Sequence, residues 1–189
     1  MFVTMRYISA IGVLLQCLCL AAPLQASTEA RPWIEIDTHK LTLAVVQNGK
    51  IKRLFHNISL GRGGFAPERR KGDGRTPLGQ FRIAWVNKDS RYHLFFGLDY
   101  PNHEHAEYAF RHKLIDFDTY YAIRQALFRG AIPPQNTVLG GYIGIHGLGS
   151  GNRKVHQLAN WTQGCIALTN EQVDELAHWV SVGTRVYIR

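Results

Sequence analysis

The sequence is short of cysteine and of long apolar runs, and each shortage excludes something. Its three cysteines are Cys17, Cys19 and Cys165. The first two lie in an apolar stretch from Tyr7 to Leu20, which follows a single basic residue, Arg6, and precedes Ala21-Ala22-Pro23-Leu24-Gln25-Ala26. A short basic region, a short apolar core and a small-residue exit predict a secretory leader over residues 1–26, cut after Ala26. The run falls short of the roughly 20 apolar residues a bilayer needs, and no other run in the chain is longer, so no membrane span is expected once the leader is removed. Gln16 and Leu18, neither of them small, precede the leader cysteines, which argues against a lipid-attachment site. Removal of the leader leaves Cys165 alone. A single thiol in an exported protein forms no internal disulfide, so stapling does not explain it.

Acidic residues are also scarce. Lys and Arg number 22 against 14 Asp and Glu, for a formal charge of +8, and the leader holds one Arg and no acid. The basic excess is spread along the chain apart from Arg62, Arg69, Arg70, Lys71 and Arg75, a cluster that reads most simply as a solvated basic loop. There is no recognisable DNA- or RNA-binding motif, so a nucleic-acid partner is not expected. An anionic polymer outside the cytoplasm, such as the cell wall, is the more sensible electrostatic partner, and the expected location is the periplasm or cell wall. Internal repeats, low-complexity tracts and linkers are absent. The residues after the leader suit one domain, residues 32–189.

Within that domain the pattern is of short strands. Ile34 to Asp37 and Leu41 to Val46 read as strands around a Thr38-His39-Lys40 turn, Asn48-Gly49 is a hairpin signal, and Ile51 to Leu60 supplies the next strand. Gly61 to Gly74 is a glycine-rich charged loop; Gln80 to Trp85 and His93 to Leu98 alternate again. This predicts a mostly β (α+β) fold, a β-sandwich or barrel rather than a doubly wound sheet. A helical insertion is expected over about 87–141, with Asp118 capping a helix in which Tyr120, Ile123 and Leu127 share a face. A last helix begins at Thr169, with Gln172 at the capping-box spacing and Val173, Leu176, Ala177 and Val180 as its inward stripe, before a strand at Thr184 to Ile188.

The chemistry gathers around Cys165. An acyl-transferring thiol needs its thiolate favoured, by an imidazole or by a helix N-terminus. Cys165 precedes the last helix, and His146 ends the strand-like run Tyr142-Ile143-Gly144-Ile145. Nucleophile and base are thus the reading, against a small buried hydrophobe for Cys165 and a structural histidine for His146. Gly147 lets the backbone turn beside the base, and its carbonyl is placed to orient the imidazole. Gly164 removes a side chain beside the nucleophile, so the amides of 164 and 165 are candidates to meet a developing oxyanion. Thr162 and Trp161 are expected to position the nucleophile strand, with Trp161 also a candidate wall of the cleft. His156, in the loop between, is a candidate for substrate binding or a solvated loop histidine. Metal is not expected. His146, His156 and Cys165 lack the short-gap ligand pair of zinc sites, and His103-x-His105 is isolated. No cofactor is implied.

Ile145-His146-Gly147, followed eighteen positions after the histidine by Gly164-Cys165-Ile166-x-Leu168-x-Asn170, resembles the L,D-transpeptidase catalytic domain, the YkuD-type family. Gly72-Asp73-Gly74-Arg75-Thr76-Pro77-Leu78-Gly79-Gln80-Phe81 resembles that family's Thr-Pro-x-Gly segment, and Val180-x-x-Gly183-Thr184-x-Val186-x-Ile188 its C-terminal end. The resemblance implies a cysteine enzyme of peptidoglycan. Cys165 would attack a peptide bond of a wall stem peptide to form a thioester, with His146 as base and the Gly147 carbonyl as its orienting partner. An amine acceptor (another stem peptide, a D-amino acid or a wall-anchored protein) would resolve the acyl-enzyme. If water resolves it, the enzyme is a peptidoglycan amidase or L,D-carboxypeptidase. Two positions depart from the family pattern: Gln163 stands where relatives carry His, and Ala167 where they carry Arg. Arg153, Lys154 and Arg185 are candidates to take that arginine's place at a substrate carboxylate.

Overall fold

The computed structural model describes Met1 and residues 30–189. The expected leader, residues 1–26, lies outside the described residues apart from Met1. Chain order is β1 (Trp33–Asp37), β2 (Thr42–Gln47), β3 (Lys50–His56), β4 (Phe65–Ala66), β5 (Thr76–Pro77), β6 (Gly79–Ser90) and β7 (His93–Leu98), followed by α1 (His103–Arg111) and α2 (Phe117–Phe128). Then come β8 (Gly144–His146), α3 (Arg153–Leu158), β9 (Ile166–Ala167), α4 (Asn170–Ala177) and β10 (Arg185–Ile188). Among the described residues no helix is long and apolar enough to cross a membrane.

Eight strands form one mixed sheet in the order β3-β2-β1-β10-β6-β7-β8-β9, while β4 and β5 make a small parallel pair. The β2–β3 hairpin closes through Asn48 and Gly49, at φ 54° and 70°, a conformation that asparagine and glycine tolerate best. Strand β6 is shared. Gly79 to Arg82 pair with β10, and Ile83 to Ser90 pair with β7 across register shifts that bend the strand.

That bend lets the sheet curl back on itself. Asn57, at φ 56°, ends β3 short of the expected Leu60. Ser59 to Arg62 turn instead to the far edge, where Ser59 and Ala167 exchange backbone hydrogen bonds of 3.0 and 2.8 Å. Thr162 donates to the Leu60 carbonyl at 3.1 Å, and Arg62 donates to the Thr162 carbonyl at 2.9 Å. The result is the mostly β, barrel-like domain expected, with its core of Ile34, Ile36, Val45, Phe81, Ile145, Ile166 and Val186. Burying each such side chain contributes about 1.5–3 kcal/mol.

Two expectations about the helices are corrected. Residues 87–98 of the expected insertion belong to β6 and β7, and the helices occupy 103–128. The cap of α2 is Asp116, whose extended backbone lets its carboxylate accept from the Thr119 amide, and Asp118 sits in the first turn. Ile123 is buried at the foot of α2, with Tyr120 and Leu127 packed against the core. The capping box of Thr169 and Gln172 is present on α4. Val173 and Leu176 are its buried pair; Ala177 is exposed and Val180 lies beyond the helix end.

Candidate active site

Strands β8 and β9 run parallel, with Ile145 opposite Ile166 and His146 opposite Ala167. One step back along that register sets Cys165 opposite Gly144. Ile145 and Ile166 are fully buried in the core. Side chains alternate along a strand, so Gly144, His146 and Cys165 share the other face. Thiol and imidazole therefore stand on neighbouring strands, two residues apart along the pleat. Parallel strands need a long crossover, here the loop from Gly147 to Gly164 with α3 inside it.

His146 is 2% exposed. Its Nδ1 lies 2.7 Å from the Gly147 carbonyl oxygen, which can only accept, so the proton is on Nδ1 and the Nε2 lone pair is free. Burial pushes this imidazole down to about 4; the Gly147 carbonyl opposes the shift, and nearby His156 and Arg91 add to it. At neutral pH the ring is uncharged. Tyr92 stacks on it at 4.3 Å between centroids, and Trp161 meets it edge-on at 6.0 Å. Arg91 lies over the Tyr92 ring at 4.7 Å and donates to its hydroxyl at 2.6 Å.

Gly147 is required by space. A Cβ there would stand 2.7 Å from Asn170 Oδ1 and 2.9 Å from the Tyr92 carbonyl. Asn170 holds the turn after His146: its Oδ1 accepts from the Leu148 and Gly149 amides at 2.8 and 2.9 Å, and its Nδ2 donates to the Gly149 carbonyl at 2.9 Å.

Cys165 is half-buried, and its Sγ donates to the Tyr142 carbonyl at 3.3 Å. Burial pushes the thiol up to about 11, offset in part by a Gly144 backbone hydrogen bond and by the Arg69 guanidinium. The resting pair is thus a neutral thiol and a neutral imidazole. Gly164 has φ +123°, and a Cβ there would lie 2.5 Å from the Arg75 carbonyl. Its amide, expected to be open to an oxyanion, instead donates to Thr162 Oγ1 at 3.0 Å, while that hydroxyl donates to the Cys165 carbonyl at 2.7 Å. Thr162 therefore stitches the strap that carries Cys165.

The remaining expected residues divide. Trp161 packs edge-on against His146. The Gln163 side chain is exposed, and its carbonyl accepts from Arg69 at 3.3 Å. His156, a candidate for substrate binding or a solvated loop histidine, is instead buried: it is 4% exposed, with Nδ1 3.0 Å from Ser59 Oγ, and ties α3 to the segment after β3. Arg153 stays at the surface, 3.3 Å from Glu171. Arg185, on β10 opposite Arg82, lines a separate cleft with Asp99 and Phe128 and is no stand-in for an arginine at 167. Among the described residues no group of three or more His, Cys, Asp or Glu forms a metal cage. Tyr92 and Arg91 were not legible, because a turn between two strands carries no signal of what it will lean on. Asn170 was legible only as part of the motif.

The sequence from 31 to 188 matches the L,D-transpeptidase catalytic domain, YkuD. The chain belongs to that family. Among solved structures it is similar to the helical cell shape determining protein Pgp2 of Campylobacter jejuni, at 20% identity and TM-score 0.56, over 85% of this chain and 49% of that one. It is also similar to Bd1075 of Bdellovibrio bacteriovorus, at 17% identity and TM-score 0.53, over 87% and 49%. The chain spans about half the length of these two proteins, and the likeness shows the fold they share. No curated protein matches the sequence.

Proposed function

We propose that this L,D-transpeptidase-family chain is an exported peptidoglycan L,D-transpeptidase that works through a Cys165 acyl-enzyme. The observation that carries the reading is the neutral imidazole with its Nε2 lone pair free, on the same sheet face as a half-buried thiol.

The thiol turns from Tyr142 toward His146, and its proton passes to Nε2 as sulfur bonds to the stem-peptide carbonyl carbon. A neutral pair suits this order, since no stable thiolate is needed beforehand. The Cys165 amide is the donor left for the oxyanion, because the Gly164 amide is engaged by Thr162. The imidazolium, steadied by the Gly147 carbonyl, gives its proton to the departing amine as the C–N bond breaks and a thioester remains. An acceptor amine then loses a proton to Nε2 while attacking the thioester, and the released sulfur is reprotonated. Stem peptides supply the donor; a stem peptide, a D-amino acid or a wall-anchored protein supplies the amine. Water in that role gives an amidase or carboxypeptidase.

The test is incubation with diaminopimelate-containing muropeptides and a D-amino acid, followed by mass analysis. Exchange products support transfer, and shortened peptides alone assign hydrolysis. Unchanged muropeptides, with no adduct on Cys165, overturn both.

A further inference from the structure

Five cations cluster in and just after the glycine-rich loop, and one behaves unlike the others. Arg62, Arg70, Lys71 and Arg75 are exposed, whereas Arg69 is 6% exposed. Among the described residues it is the one buried Arg or Lys. Its fork donates to backbone carbonyls of three segments, Nε to Arg75 at 3.0 Å, Nη1 to Leu139 at 3.2 Å and Nη2 to Gln163 at 3.3 Å. Nε also lies 3.9 Å from the Asp73 carboxylate, the one acidic group facing it among the described residues. The guanidinium lies 5.3 Å above the ring of fully buried Tyr100, whose hydroxyl donates to the same Leu139 carbonyl at 2.9 Å. Gly140 leaves room for it, since a Cβ there would lie 3.0 Å from Nη1.

Those carbonyls flank the nucleophile. Gln163 is two residues before Cys165, and Leu139 is three before Tyr142, whose carbonyl holds the thiol. Meanwhile Ala167, the site of the family arginine, is fully buried, paired with both His146 and Ser59.

We propose that Arg69 is a positioning residue of the acyl-transfer site, fixing the strap that carries Cys165 and holding a cation against the carbonyl two residues before the thiol. The proposal rests on Cys165 being the nucleophile. A planar five-donor fork suits the task, because one group must reach three carbonyls at once; an ammonium is a point charge that cannot span them. A buried cation also favours the thiolate that forms when sulfur leaves the thioester.

The test uses the full chain with Arg69→Met and Arg69→Lys, following iodoacetamide alkylation by the mass of the Cys165 peptide from pH 7 to 10. Arg69→Met removes the charge, so alkylation at pH 9 slows at least threefold, equivalent to about half a pKa unit. Arg69→Lys restores most of that rate, yet muropeptide turnover stays at least tenfold low because the fork is gone. A folded Arg69→Met that alkylates at the unmodified rate overturns the proposal. If Arg69→Met does not fold, Arg69→Lys decides, and unmodified turnover in that variant overturns it equally. Alkylation needs no wall substrate. Slowed alkylation in a chain that leaves muropeptides untouched sinks the transpeptidase reading and keeps the placement of Arg69.

Discussion

At one end of the sheet, β2 and β3 share six register pairs around a two-residue turn; at the other, β8 and β9 share two, and the nineteen residues 147–165 separate them. The hairpin end is held by its own ladder and by apolar side chains close in sequence. The site end has too short a ladder to fix itself. Its position comes from polar side chains bonded to distant backbone: Asn170 to Leu148 and Gly149, Thr162 across its own turn, and Arg69 to Gln163, 94 residues away. An edge built this way is exact in geometry but intolerant of losing single groups, because each loss strands a buried partner.

The sharpest break in the comparison is Cys165→Ala. Acyl transfer disappears while the thermal midpoint holds, since a small residue replaces a small one; residual transfer would remove the thiol from the mechanism. His146→Gln comes next. Single-turnover acylation, read by intact mass, falls about 10²–10⁴-fold, the range for a lost general base. A rate within a factor of three of the unmodified chain makes His146 a spectator.

Asn170→Ala strands three backbone groups beside Gly147. It is expected to destabilise by about 2–4 kcal/mol in urea unfolding and to slow acylation as well, whereas a silent substitution would show that the turn after the base holds itself. Acid gives a graded effect. His146 and His105 sit at about 4 in the fold against an ordinary 6.5, both through burial. Between pH 6.5 and 4 the unfolded chain takes up protons that the fold refuses, so the stability these two rings contribute is lost across that window. Flat stability from pH 7 to 4.5 would mean these rings are not held neutral. Gly49→Ala closes the series at the other end. The turn needs φ +70° there, so about 1 kcal/mol is lost, with acylation unchanged; a drop in acylation would show that the two ends are coupled.

What could be read in advance follows the same division. The Asn48-Gly49 turn, the alternating strands and the Thr169–Gln172 capping box are local patterns, and they stand in the fold as read. His146 with Gly147, and Gly164 with Cys165, were visible because glycines beside reactive groups mark close backbone approach. Other features needed coordinates. The Gly164 amide looked free until Thr162 Oγ1 was seen to take it. His156 read as a loop histidine until Ser59, 97 residues away, was found against it. Asp116 rather than Asp118 caps α2 because backbone conformation, not residue type, decides between two nearby carboxylates.

By itself the sequence determined a mostly β domain of the L,D-transpeptidase family, and it named the thiol and imidazole by their glycine neighbours. The tertiary structure alone decided which face they share, that burial leaves both uncharged at rest, and that a buried arginine from the glycine-rich loop bonds the Gln163 carbonyl, two residues before the thiol. Periodicity and turn chemistry are properties of adjacent residues. Desolvation, stacking and a three-way arginine fork depend on segments that meet only after the sheet has curled onto itself.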